Sequence, residues 1–242
     1  MNTEKIFRFL GRKAGNAYNK GRWYYRSLFG SEDEVIRAES LVGRELAKKY
    51  LDEAAIISDP AVNQHLKQLG NQLTNRLTQE DRHFHYYLVE AEDVNAFAIP
   101  GGYIFVTTAL MQQYRGQDSE LAFILGHEIG HIVKGHAFQR TMANTSVQVL
   151  NRLLRTGSVV GGFAKQTLAK MLQSGYSQEQ ELEADWFGAR LMHSAGFSQD
   201  FAVKSLQRLS QHAGSPSAFE SYFTTHPGID ERIKQLQERI KS

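Results

Sequence analysis

The segment Glu120–Val133, ELAFILGHEIGHIV, constrains this chain of 242 residues more than any other. Wound as an α-helix at about 100° per residue, with His127 as origin, it places Leu121, Leu125, Ile129, Ile132 and Val133 between about 120° and 240°. His131 lies only about 40° from His127, with Cβ atoms about 5–6 Å apart. Such a helix has an apolar back that must be buried and two imidazoles on the opposite side. The fold therefore needs a core behind this helix, and the histidines are expected to face a cleft.

Two imidazoles four residues apart on one helix face can converge on a single cation. Glu128, about 100° from His127, can reach a water on that cation without binding the cation itself. Core histidines would lie on the apolar arc, and these two do not. If the helix continues to about Met142, His136 falls at about 180°, on the buried arc, and reads as a structural histidine outside the metal set. The chain contains no cysteine, so any metal must be held by histidine and carboxylate.

A catalytic zinc site keeps three protein ligands and one position for water. The helix opened by the capping box Ser177-Gln178-Glu179-Gln180 offers Glu179, Glu181 and Glu183. With Glu181 as origin, Asp185, Gly188 and Ala184 lie within about 60°, a face of acids and small residues suited to close approach by another helix. Glu179 and Glu183 fall on the far side. Glu181 is therefore the expected third ligand of one Zn²⁺ per chain, and Asp185 the carboxylate that orients a ligand imidazole.

Around these two helices the chain reads as a single, mostly helical α+β domain over 31–242. Ser31–Glu34 is a capping box opening a helix to about Ile57, and Asp59-Pro60 starts another with an apolar stripe through Leu66, Leu69 and Leu73. Three extended runs, 83–89, 95–100 and 103–107, predict a small antiparallel sheet, the last two joined by Pro100-Gly101-Gly102. Residues 143–176 read as a mobile connection or lid, and further helices are expected near 198–213 and 227–241. Residues 1–30 hold seven Lys or Arg against the single acid Glu4, interleaved with aromatics. They read as a basic N-terminal arm or helix, packed on the domain or making peripheral contact with an anionic membrane. A net charge of +2 gives no nucleic-acid footprint, and no apolar run is long enough to span a bilayer. With no secretory leader at the start as numbered, the chain is expected to be cytoplasmic or membrane-peripheral, or in the cell envelope if the start has been trimmed.

Four blocks in order resemble the gluzincin metalloproteases that include CAAX prenyl proteases, HtpX-type heat-shock proteases and BepA-type periplasmic proteases. They are Asn95-Ala96-Phe97-Ala98 with Pro100-Gly101-Gly102, then residues 120–131, then Glu181-Leu182-Glu183-Ala184-Asp185, then His226-Pro227 with Arg232. The chain is most similar in kind to the soluble bacterial members. The resemblance implies a gluzincin fold with its sheet beside the HEXXH helix, and hydrolysis of internal bonds in unfolded or damaged polypeptides. It implies that Asn95 and Ala96 lie on an edge strand that pairs with extended substrate. It also implies that His226 approaches the metal as oxyanion stabiliser or reversible fourth ligand, supported by Arg232; an N-cap beside Pro227 is the alternative for His226. A latent zinc-containing chaperone-like or binding module with little turnover is the alternative function.

Overall fold

The computed structural model of the protein describes residues 32–78, 82–143, 161–213 and 218–241. The basic segment 1–30 and residues 144–160 of the expected lid lie outside them. Three short strands, β1 (His85–Val89), β2 (Ala96–Ile99) and β3 (Tyr103–Thr107), form one sheet in the order β1-β3-β2. β2 and β3 pair antiparallel through the turn at Gly101 and Gly102, whose φ values of +81° and +96° suit glycine. β1 pairs with β3 in parallel, His85 opposite Tyr103, so the sheet is mixed rather than wholly antiparallel. The loop after β1 is tied to Thr108 by hydrogen bonds from Ala91 N–H (3.2 Å) and to Ala91 C=O (3.0 Å). It carries the chain past the end of the sheet, and β3 takes the place beside β1.

The alternation of side chains in the strands divides the interior. Ala96, Ala98, Ile104 and Val106 join one apolar cluster, while Phe97, Ile99 and Phe105 join the other. Helix α1 (Glu32–Glu53) covers the second with Ala38, Val42, Leu46 and Ala47. It stops before the expected end near Ile57, because Ala55–Ile57 run extended along β1. Ile57 N–H donates to Leu88 C=O at 3.0 Å and Glu90 N–H to Ala55 C=O at 2.8 Å. The two β-branched isoleucines, Ile56 and Ile57, favour that conformation over another helical turn.

Helix α2 (Pro60–Thr74) begins as its sequence dictates: the Asp59 carboxylate accepts from Ala61 and Val62 N–H, and Leu66, Leu69 and Leu73 are buried. After the short α3 (Thr108–Gln113) comes α4 (Asp118–Val133), the HEIGH helix, packed against α2 and β2. It ends earlier than expected. Gly135, at φ +75°, breaks it, and α5 (His136–Ala143) starts in a new direction. Part of the expected lid is a packed helix, α6 (Gly161–Gln173), whose Ala164, Leu168 and Met171 join the cluster under α1. Helix α7 (Gln178–Ser194) starts with the expected capping box and lies across α4. α8 (Asp200–Ser210), α9 (Glu220–Thr225) and α10 (Ile229–Lys241) complete the described fold.

Candidate metal centre

The site is made by a close crossing of α4 and α7. Small residues meet at the crossing: a Cβ added to Gly126 would lie 3.1 Å from Gly188, and one added to Gly188 only 2.8 Å from His127 N. Gly130 faces Ala184 in the same way. With no side chains to hold the backbones apart, Glu181 on α7 reaches the two histidines of α4.

Four donor atoms then converge, one each from His127, His131, Glu181 and His226, all within 4.8 Å of one another. His127 Nε2 is 3.0 Å from His131 Nε2 and 3.3 Å from His226 Nδ1. Glu181 Oε1 is 3.2 Å from both His131 Nε2 and His226 Nδ1, and Oε2 is 3.5 Å from His127 Nε2. Tetrahedral donors bonded to one zinc at about 2.0–2.1 Å stand about 3.3 Å from each other. The spacing fits such an ion, and a hard carboxylate with imidazoles is a donor set that zinc accepts.

A second layer fixes these donors. His127 Nδ1 meets Asp185 Oδ1 at 2.8 Å, which leaves Nε2 to point at the centre. Asp185 in turn takes two hydrogen bonds of 2.8 Å from Arg232 on α10. Arg232 Nη1 also lies 2.7 Å from Glu181 Oε2 and donates to the His226 backbone carbonyl at 3.4 Å. One fully buried guanidinium thus joins both carboxylates and the His226 loop. His226 caps the C-terminal end of α9, its N–H bonded to Tyr222 C=O at 2.7 Å. Because α10 starts only at Ile229, His226 is not its N-cap.

Burial raises the cost of charge at every one of these groups, and the neighbours decide the outcome. For Glu181 burial works upward, but Arg232, His226 and His127 outweigh it and hold the carboxyl well below its usual range. For Glu128 burial wins over the pull of His226 and His127, and its pKa is raised. Among the described residues neither Glu128 oxygen accepts a well-aligned hydrogen bond; the nearest His226 contact is Nε2 at 3.4 Å from Oε1. Burial likewise drives the His131 pKa well below normal, whereas Glu181 and Asp185 overcome burial to raise that of His127.

The chemistry of this cluster agrees with comparison to known proteins. The profile of peptidase family M48 matches residues 60–240. The chain belongs to that family. It is similar to the beta-barrel assembly-enhancing protease of Yersinia pestis, 32% identical over 84% of this chain and 44% of that protein. It is also similar to metalloprotease LoiP of Escherichia coli, 30% identical over 89% of this chain and 88% of that protein. Metalloprotease YcaL of the same organism is 28% identical over 73% of this chain and 69% of its own length. The chain therefore spans less than half of the assembly-enhancing proteases and most of LoiP.

In this M48 chain the histidines do not face an open cleft. His127, Glu128, His131, Glu181 and His226 are each at most 1% exposed. α7 covers the α4 face, His226 fills the fourth corner, and the Tyr176 ring stacks on His131 at 3.6 Å and 12°. Arg140 lies over Tyr176 at 3.9 Å. Sequence reading passed over Tyr176 and Arg140, since nothing in their spacing relates them to the HEIGH helix. It also misplaced His136. The ring is outside the ligand set, as expected, but the break at Gly135 turns it back to within 3.2 Å of His131 Nδ1.

Asn95 and Ala96 lie where the chain enters β2. Thr107 N–H donates to Asn95 C=O at 3.0 Å and Asn95 N–H donates to the Thr107 hydroxyl at 3.0 Å, while Asn95 Oδ1 has no hydrogen-bond partner among the described residues. In an antiparallel ladder the next residue points its backbone groups the other way. Ala96, and then Ala98, therefore turn N–H and C=O away from β3.

Proposed function

We propose that the chain is a zinc-dependent endopeptidase that cleaves internal peptide bonds of unfolded or damaged polypeptides. The observation that carries this is a buried carboxylate, Glu128, with no hydrogen-bond partner among the described residues, beside a set of donors spaced for one zinc. His127, His131 and Glu181 would hold the ion, which when bound polarises a carbonyl and lowers the pKa of a water to about 7. Glu128 would take the proton from that water and give it to the leaving amine. Asp185 would keep His127 in the tautomer that presents Nε2, and Arg232 would hold Asp185 and Glu181 in place. Substrate would add to the outer edge of β2 through Ala96, which like the metal centre is buried in this closed arrangement, with Asn95 Oδ1 as a further acceptor. Backbone pairing of this kind reads little sequence, which suits varied unfolded chains. The relatives named as proteases support the reaction class.

His226 in the fourth corner occupies the position a reacting water needs. The closed arrangement is thus a resting state, and His226 would withdraw when substrate binds. Among the described residues no helix is long and apolar enough to cross a membrane. Casein degradation that stops with a zinc chelator and returns with added zinc is the test. Persistent cleavage without zinc, or none with zinc under any condition, would refute the proposal.

A further inference from the structure

The two ligand histidines are held from behind by different devices. His127 leans on a carboxylate, Asp185. His131 leans on another imidazole. Its Nδ1 is 3.2 Å from His136 Nδ1, and His136 Nε2 is 3.4 Å from Glu183 Oε2. Glu183 is bound in turn by Lys134 at 2.9 Å. His136 is fully buried, while Glu183 and Lys134 are about one-third exposed at 32%.

Two facing Nδ1 atoms can bond only if one carries a proton and the other a lone pair. His131 Nε2 points at the other donors, so a metal there leaves the His131 proton on Nδ1. His136 Nδ1 must then be the acceptor, which places the His136 proton on Nε2, facing Glu183. Glu183 faces that proton at an ion-pair distance of 3.4 Å, without a well-aligned hydrogen bond among the described residues, and Lys134 holds Glu183 at 2.9 Å. We propose that His136 is a positioning residue, which with Glu183 locks the tautomer and ring orientation of His131. This rests on His131 being a zinc ligand.

The fold supplies the juxtaposition through Gly135. On an unbroken helix His136 would sit about 140° from His131 and could not touch its ring. The glycine at φ +75° ends α4 and aims the first residue of α5 back at the metal helix.

The test compares His136→Asn with His136→Leu. Asn keeps an oxygen near the Nδ1 position and can accept from His131; Leu fills the space without an acceptor. Chelator competition should show zinc affinity lowered about 10–100-fold in the Leu variant and by about threefold or less in Asn. A merely structural role gives the opposite order, because a buried site tolerates Leu better than an unpaired amide. Wild-type protein loaded with zinc supplies a second measurement free of folding effects. Imidazole ¹⁵N shifts should place the protons on His131 Nδ1 and His136 Nε2. Zinc affinity in the Leu variant within about twofold of wild type, or a proton on His136 Nδ1, overturns the inference. Absence of zinc from wild-type protein would instead overturn the metal reading beneath it.

Discussion

Gly188→Ala tests whether the crossing of α4 and α7 builds the metal centre. The new methyl carbon would lie 2.8 Å from His127 N and 2.9 Å from Gly126 C, both backbone atoms of a buried helix. Ordinary contact begins near 3.4 Å, so the helices must separate by about 0.6 Å. Metal sites tolerate only about 0.2 Å in ligand distance. Glu181 rides on the displaced helix and His127 on the other, so the donor set should open beyond what one zinc can bridge. Zinc affinity is expected to fall at least tenfold. Overpacking should also cost about 1–3 kcal/mol, or roughly 2–12 °C in melting temperature for a chain of this size. Chelator competition and thermal unfolding of metal-free protein measure the two effects separately. Gly116→Ala is the control: it meets nothing within 4 Å and lies far from the crossing, so it should show backbone strain from φ +72° but normal zinc affinity. A Gly188→Ala protein that binds zinc within twofold of wild type would mean that the close crossing of α4 and α7 does not set the donor distances.

Three further outcomes follow from the same geometry. Purified protein should carry about one zinc per chain, and Glu128→Gln should keep it while losing at least about 100-fold in casein hydrolysis; loss of zinc in that variant would make Glu128 a ligand. Glu181→Gln should abolish tight zinc binding, and Asp185→Asn should weaken binding or activity about 10–100-fold. Glu183→Gln retains an acceptor for His136 and should change affinity by only a few-fold; equal losses in the Glu181 and Glu183 variants, measured by chelator competition, would remove Glu181 from the site. His226→Ala vacates the fourth corner and should raise basal cleavage of a short unstructured peptide. A fall of about 10²–10³ with zinc retained would assign His226 to transition-state stabilisation instead.

The residues legible in the sequence are those whose relations are local. Helical periodicity alone puts His127 and His131 on one face, and it separates Glu181 and Asp185 from Glu179 and Glu183 on α7. The caps at Asp59 and Ser177 are equally local, since each is a side chain bonding backbone two or three residues away. His226 and Arg232 carry no such signal. They stood out only by resemblance, because the contacts that matter to them cross some 45 residues of chain to α7.

Tertiary structure decided the rest. A strand run shows where a strand lies, but pairing depends on which edge is free when the chain returns, and so the sheet came out mixed. Gly135 could be a tolerated helix residue or a break; the choice was settled by what α5 packs against, and with it the place of His136. Burial of the whole centre was invisible in advance. One helix shows which of its faces is polar, yet what covers that face belongs to other elements: α7, the His226 loop and Tyr176. Local sequence was enough to say which donors α4 and α7 would each present. The distance at which those donors meet depended on two glycines, each leaving room for the other's backbone, and that is a relation between helices that neither helix contains.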